Sequence, residues 1–291
     1  MKNIKYIFGV VGIVLFAMRC QPDPLDITLP EYEPSVVVAS QVLPGEIMFI
    51  GLTRSFTILS SAGNDGGGDS STFANILVDS AFVSIEHGGQ VDTLFNIAPG
   101  LFASTTPLDN PGTNYNLKVI DYMLNKTATA SAEMLAYVQF DTVYPILDKG
   151  LNDTLVTIHA EFTDDPSDRN FYMLNIYSRE ILSNGLDLNS FFSNGENKIQ
   201  STVLYTDTEL SSLNFTLDIE VEKVGSRDSI AVALSNISEG YYDFLKKREK
   251  GGNIFTELTN EPINYPSNIT GGIGFFNTHF PDVEYFDLNE F

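Results

Sequence analysis

The sequence predicts a mainly β protein: an immunoglobulin-like β-sandwich followed by a second antiparallel β-rich domain carrying one amphipathic helix. Three observations predict it. Past residue 35 the apolar residues recur with a period of two. Clusters of turn-forming residues separate these runs. One segment alone places apolar residues at helical spacing between capping residues.

The chain opens on a positive start at Lys2 and Lys5, followed by an apolar run from Ile7 to Ala17. That run is well short of the ~18 residues needed to span a bilayer, so it reads as the core of an export signal. Cys20, the chain's one cysteine, follows it. Residues 1–20 are therefore expected to form a lipoprotein signal peptide ending at a lipidated Cys20. An exported protein that used disulfides would carry several cysteines, which favours lipidation. Two or three acyl chains on the thiol hold firmly to a membrane, where one chain holds marginally. Arg19 departs from the small residues preferred before an acylated cysteine. It leaves a plain secretory signal or an uncleaved anchor as alternatives.

Residues 21–34 contain Pro22, Pro24, Pro30 and Pro34, which disfavour helix and predict an extended, Pro-rich tether. In polyproline geometry it reaches ~3.1 Å per residue. Asp23 and Asp26 make it mildly acidic.

The strands follow in order. Val36-Val37-Val38 reads as a buried strand. Ala81, Val83 and Ile85 alternate with Phe82, Ser84 and Glu86, and Tyr115, Leu117 and Val119 form a further stripe. Residues 35–145 thus make a block of about 110 residues, the size of an immunoglobulin-like module. The boundary is placed in Tyr144-Pro145-Ile146-Leu147-Asp148-Lys149-Gly150, and residues 146–291 form the second domain. There, Val156, Ile158, Ala160 and Phe162 share one side of a strand, while Thr157, His159 and Glu161 share the other. Phe215 to Glu222 alternates completely, and Ile230 to Leu234 reads as a strand buried on both faces.

The helix is predicted after Ser238, a suitable N-cap, with Glu239 in its first turn. Lys246, Lys247, Arg248 and Lys250 suit its C-terminal dipole, and Gly251-Gly252 ends it. Tyr241, Phe244 and Leu245 form a stripe that packs on a sheet. Contact of the basic end with anionic lipid is the weaker reading.

With 38 acidic against 16 basic residues, the formal charge of −22 repels phosphate backbones and excludes nucleic acid as a partner class. The chain has 21 Phe and 13 Tyr but no Trp, which argues against a surface that captures sugars by stacking.

Catalytic signatures are missing: no His-Glu-x-x-His, no Gly-x-Ser-x-Gly and no phosphate-binding Gly-Lys-Ser loop. Gly68-Asp69-Ser70-Ser71 resembles an esterase nucleophile block, but no histidine follows an aspartate at the required spacing, so Ser70 reads as part of a surface loop. With one cysteine and scattered histidines, no zinc site is expected. Asp164, Asp165 and Asp168, or Asp65 and Asp69, carry oxygen ligands suited to calcium, but neither set has the spacing of a calcium loop. His159 reads as exposed and uninvolved. No catalytic residue, metal or cofactor is therefore expected.

At its C-terminal third the chain runs Ile237-Ser238-Glu239-Gly240-Tyr241-Tyr242-Asp243-Phe244-Leu245. Later comes Glu261-Pro262-Ile263-Asn264-Tyr265-Pro266-Ser267-Asn268-Ile269-Thr270-Gly271-Gly272-Ile273-Gly274-Phe275-Phe276. The Tyr241-Tyr242 helix, Pro262, Asn268 and the glycines Gly271, Gly272 and Gly274 resemble the ending of the Bacteroidota lipoproteins classed as domain of unknown function 4249. Pro34-Ser35-Val36-Val37-Val38, Leu52-Thr53-Arg54-Ser55, Asp165-Pro166 and Asn170-Phe171-Tyr172 fit the same family, so the resemblance covers nearly the whole mature chain. It implies an outer-membrane lipoprotein with an immunoglobulin-like first part, often encoded beside a TonB-dependent receptor, and transfers no catalytic residue. The glycines are expected to allow a tight bend or bulge at a sheet end. Ser80, Thr93, Thr142, Thr154 and Ser229 each follow an aspartate and precede an apolar residue, the pattern of O-glycosylation in these bacteria.

The resulting expectation is a non-enzymatic outer-membrane lipoprotein, on the periplasmic or cell-surface face. It would be anchored through Cys20 and assist a TonB-dependent transporter by capturing ligand or stabilising the receptor. The alternatives are a free-standing surface adhesion or scaffold module and, third, a hydrolase using Ser70 or an acidic cluster.

Overall fold

The computed structural model describes residues 33–42, 47–55, 76–149, 154–166, 169–178, 201–209, 213–221, 224, 229–251 and 265–291. All elements below lie in the compact unit Pro34–Phe291. In chain order the first are β1 (Val36–Val42), β2 (Met48–Arg54), β3 (Ala81–His87) and β4 (Gln90–Thr93). Then come β5 (Phe95–Ala98), β6 (Leu101–Ala103), β7 (Asn114–Asp121) and β8 (Lys126–Glu133). Next are β9 (Phe140–Lys149), β10 (Thr154–Thr163), β11 (Phe171–Ser178) and β12 (Ser201–Thr206). The last are β13 (Asn214–Val221), β14 (Ser229–Asn236), the helix α1 (Glu239–Gly251), β15 (Gly272–Phe275) and β16 (Asp282–Asp287).

The strands form four sheets. Sheet I has the order β15-β1-β2-β6-β5 and sheet II the order β4-β3-β7-β8. They share one core, in which Val36, Val38, Ile50 and Leu52 of sheet I meet Val83, Ile85, Tyr115, Leu117 and Val119 of sheet II. Alternation causes this: β7 buries every second residue, so its apolar set lies on one face. The expected sandwich is therefore present, and a second antiparallel unit follows it. Sheet III has the order β13-β10-β9 and packs on sheet IV, β12-β11-β14-β16. At the centre of that second core Phe162 stacks on Phe215 with ring centroids 4.7 Å apart, and Tyr172 meets Phe162 edge-on at 5.0 Å. The boundary region read at residues 144–150 lies within β9 and just past its end.

β14 is buried along both faces, which explains its unbroken apolar run. One face of sheet IV meets sheet III. On its other face Phe171, Met173 and Leu204 pack against Tyr241 and Tyr242 of α1 and Phe275 of β15. Ser238 caps the helix as expected: its Oγ accepts the Tyr241 N–H at 3.3 Å.

Sheets I and II are also tied by one buried ion pair. Arg54 at the end of β2 donates through Nε to Asp121 Oδ2 at 2.7 Å and through Nη2 to Oδ1 at 3.0 Å, while Nη1 reaches the Leu77 carbonyl at 3.0 Å. Both side chains are almost fully buried. Burial opposes the charge on Asp121, but the Arg54 guanidinium and the Met123 and Leu124 amides outweigh it and hold the carboxyl below its ordinary value.

Strand β15 is unusual. It pairs in parallel with β1, from Val36 opposite Gly272 to Ala39 opposite Phe275, although it comes from the far end of the chain. Just before it, Thr270 exchanges both backbone hydrogen bonds with Thr129 of β8, at 2.8 and 2.9 Å. The segment thus passes from the edge of sheet II to the edge of sheet I. The glycines make this approach possible. A Cβ on Gly271 would lie 2.3 Å from the Thr127 carbonyl oxygen, one on Gly272 would lie 2.6 Å from that of Val36, and one on Gly274 would lie 2.0 Å from that of Val38.

Two outcomes are expected. Gly89 has a positive φ of 80° in open space, so Gly89→Ala carries only the left-handed cost, about 1–2 kcal/mol. Gly274→Ala adds a backbone collision to its φ of 110° and is expected to lose clearly more in urea denaturation. Equal losses would show that β15 does not need the close approach. Arg54→Met leaves the buried Asp121 charge without its cation, held by the Met123 and Leu124 amides, and is expected to cost about 3–5 kcal/mol.

Candidate functional site

The residues singled out in the sequence fall into four places. The first is the clasp formed by β15 and the segment after it. Asn268 acts there as a one-residue strand partner, its Oδ1 accepting the Phe276 N–H at 2.8 Å and its Nδ2 donating to the Phe276 carbonyl at 2.7 Å. Ser40 of β1 holds the next residue, its Oγ accepting the Asn277 N–H at 2.7 Å and lying 3.2 Å from the Asn277 carbonyl. Gly271, Gly272 and Gly274 face β8 and β1 of their own chain, so they provide close backbone approach rather than only the expected bend. Tyr241 and Tyr242 are buried, Tyr241 against Phe275 at 5.6 Å between ring centroids and Tyr242 against Phe171 at 5.0 Å. Pro262 lies outside the described residues.

Behind the clasp sits a buried polar group that sequence reasoning missed: Asn277, Thr278 and His279. The Asn277 Nδ2 lies 3.1 Å from His279 Nδ1, where the neutral ring accepts and carries its proton on Nε2. Burial lowers the His279 pKa to about 4. Local sequence held no signal for it, because Ser40 and Asn277 are 237 residues apart.

The second place is the acidic cluster. Asp164 is buried, and its Oδ1 accepts from the Tyr172 hydroxyl and from Asn170 Nδ2. Asn170 Nδ2 also donates to the Asp165 carbonyl at 2.8 Å, and its backbone N–H donates to Asp207 Oδ2 at 3.0 Å. Burial, then the adjacent Asp164, push the Tyr172 hydroxyl far above its ordinary pKa. The cluster is a hydrogen-bonded lock at the start of β11, in which Asp164 Oδ1 and Asp207 Oδ2 face protein donors. Among the described residues no group of three or more His, Cys, Asp or Glu side chains is placed to hold a metal ion. Asp168, Asp65, Asp69 and Ser70 lie outside the described residues.

The third place is the outward face of sheet III. His159 is not the uninvolved residue that its strand position suggested. Its Nδ1 lies 2.7 Å from Asp218 Oδ1, its Nε2 lies 3.4 Å from Glu161 Oε1, and its ring stacks tilted on Tyr144 with centroids 4.9 Å apart. The Asp218 hydrogen bond, against slight desolvation, raises its pKa. Register explains the pairing, since Tyr144 and Asp218 flank His159 on the two neighbouring strands. That neighbourhood is invisible along the sequence.

The fourth place is the surface. Ser80, Thr93 and Thr142 are exposed, and Ser229 is half-buried at the start of β14. Thr154 opens β10. Cys20 lies outside the described residues. No helix among the described residues is long and apolar enough to cross a membrane.

The two histidines give pH dependence of opposite sign. His279 has a folded pKa below its unfolded value, so the unfolded chain binds the extra proton and stability falls as pH drops from about 6.5 to about 4. His159 has a raised folded pKa, so its pairs contribute fully below about 6.5 and are lost as pH rises through the folded value. His279→Gln is expected to flatten the lower window in urea denaturation and leave the upper one. An unchanged slope between pH 4 and 6.5 would contradict the buried neutral state.

No curated protein matches the chain. The family model described as a domain of unknown function, DUF4249, matches residues 22–279, and the chain belongs to that family.

Proposed function

We propose that this chain is a non-enzymatic, lipid-anchored protein of a Bacteroidota outer membrane that assists a TonB-dependent transporter, by capturing ligand or by stabilising the receptor. The observation that carries it is the order of the chain: a short apolar run, the one cysteine at position 20, then a family match that begins at residue 22. Acyl chains on Cys20 would tether the folded unit through the Pro-rich segment. The candidate residues inside the fold are engaged with one another. Asp164 takes protein donors and Asn268 pairs with Phe276. A role in holding a partner suits that arrangement better than turnover of a substrate.

A second reading, a free-standing surface adhesion or scaffold module, is favoured by exposed Ser80, Thr93 and Thr142 within the O-glycosylation pattern. The two readings differ in what they bind. C-terminally tagged protein, purified from detergent-solubilised outer membranes and read by mass spectrometry, is expected to bring a near-stoichiometric TonB-dependent receptor. Recovery of the protein alone, where other receptor complexes survive, would overturn the accessory reading in favour of the module. Cys20→Ser is expected to move the protein from the membrane to the soluble fraction, and a protein that stays in the membrane would sink the lipid anchor.

A further inference from the structure

Sheet III buries one face in the second core and turns the other outward. Register arranges the outward side chains in rows: Asp148 beside Leu155, Ile146 beside Thr157 and Glu220, Tyr144 beside His159 and Asp218, and Thr142 beside Glu161 and Thr216. Tyr144, Ile146 and Leu155 are 40%, 47% and 45% exposed and follow one another along and across β9 and β10. They form an apolar stripe, since residues two apart on one strand, or diagonal on neighbouring strands, are within side-chain reach. Asp148, Glu161, Asp218 and Glu220 frame the stripe. The basic group in these rows, His159, already holds a carboxylate at each ring nitrogen.

We propose that this outward face of sheet III is a docking surface for a protein partner that presents lysine or arginine side chains flanking an apolar segment. Charge complementarity selects that occupant. The chain carries a formal charge of −22, so a second copy or an anionic bilayer would bring like charge against the four framing carboxylates. A basic partner gains most from Asp148 and Glu220, because Asp218 and Glu161 already face His159, and its apolar residues cover Tyr144, Ile146 and Leu155. Elsewhere among the described residues, exposed Phe95 and Ile97 lie on β5, which carries no charged residue, and exposed Val91 lies on β4 opposite Glu86. The proposal does not rest on the receptor reading: the surface selects the chemistry of its partner, whichever protein supplies it.

The test places the photo-cross-linker p-benzoylphenylalanine at Ile146 of the full chain, in the cell that makes it, and maps the cross-linked peptides by mass spectrometry. The expected product is a peptide of another protein with lysine or arginine beside apolar residues. Asp148→Asn with Glu220→Gln is expected to lower its yield about tenfold, as two lost rim attractions imply. The same cross-linker at Val91 is expected to give none of that peptide. Cross-links only to lipid, to another copy or to peptides without basic residues overturn the proposal, as does their absence. Quantitative O-glycosylation at Thr142 also overturns it, because the glycan would stand one row from Tyr144.

Discussion

A strand from the end of the chain, Gly272–Phe275, lies parallel to Val36–Ala39 near its start, and the rest of the molecule is arranged around that pairing. Parallel neighbours need a long connection, and here most of the protein supplies it. The strand's glycines bring its backbone against carbonyl oxygens of β1 and β8, where a side chain would have no room. Phe275 then enters the cluster between α1 and sheet IV, while Ile269 and Phe276 enter the core of the first sandwich. A few residues therefore contribute to both hydrophobic units, and the C-terminal segment completes the sandwich formed by β1 to β8, between Val36 and Glu133.

The same arrangement explains where the polar groups go. Asn268 and Ser40 satisfy backbone groups of Phe276 and Asn277 that an edge passing between two sheets would otherwise leave unpaired. Arg54 and Asp121 do the equivalent between β2 and β7. These contacts fix the fold rather than present chemistry to solvent. The outward face of sheet III differs, because its carboxylates, Tyr144, Ile146 and Leu155 point away from the cores. For a protein whose proposed work is to hold a partner, that division between inward locks and one outward patterned face is physically coherent.

Much of the fold was legible in local sequence. Period-two alternation in Phe215 to Val221 and Val156 to Phe162 marks strands because side chains on one strand alternate between faces. Ser238 and the Tyr241-Phe244-Leu245 spacing mark α1 because capping and helical periodicity are local too. What was not legible depends on contacts between distant residues. The glycines read as a bend, since nothing near residue 272 announces that β1 will lie beside it. His159 read as idle, since Asp218 becomes its neighbour only when β10 and β13 pair. The acidic cluster carried no calcium-loop spacing, but nothing local to it announced that Tyr172 and Asn170 donate to Asp164.

Native-state hydrogen exchange at those amides of Gly272–Phe275 that donate to β1 tests the clasp most directly. If β15 completes the first sandwich, these amides exchange only through the same large opening that exposes Val38 in β1 and Val83 in β3. Exchange of these bonded amides through a small local opening, while Val38 and Val83 stay protected, would contradict it.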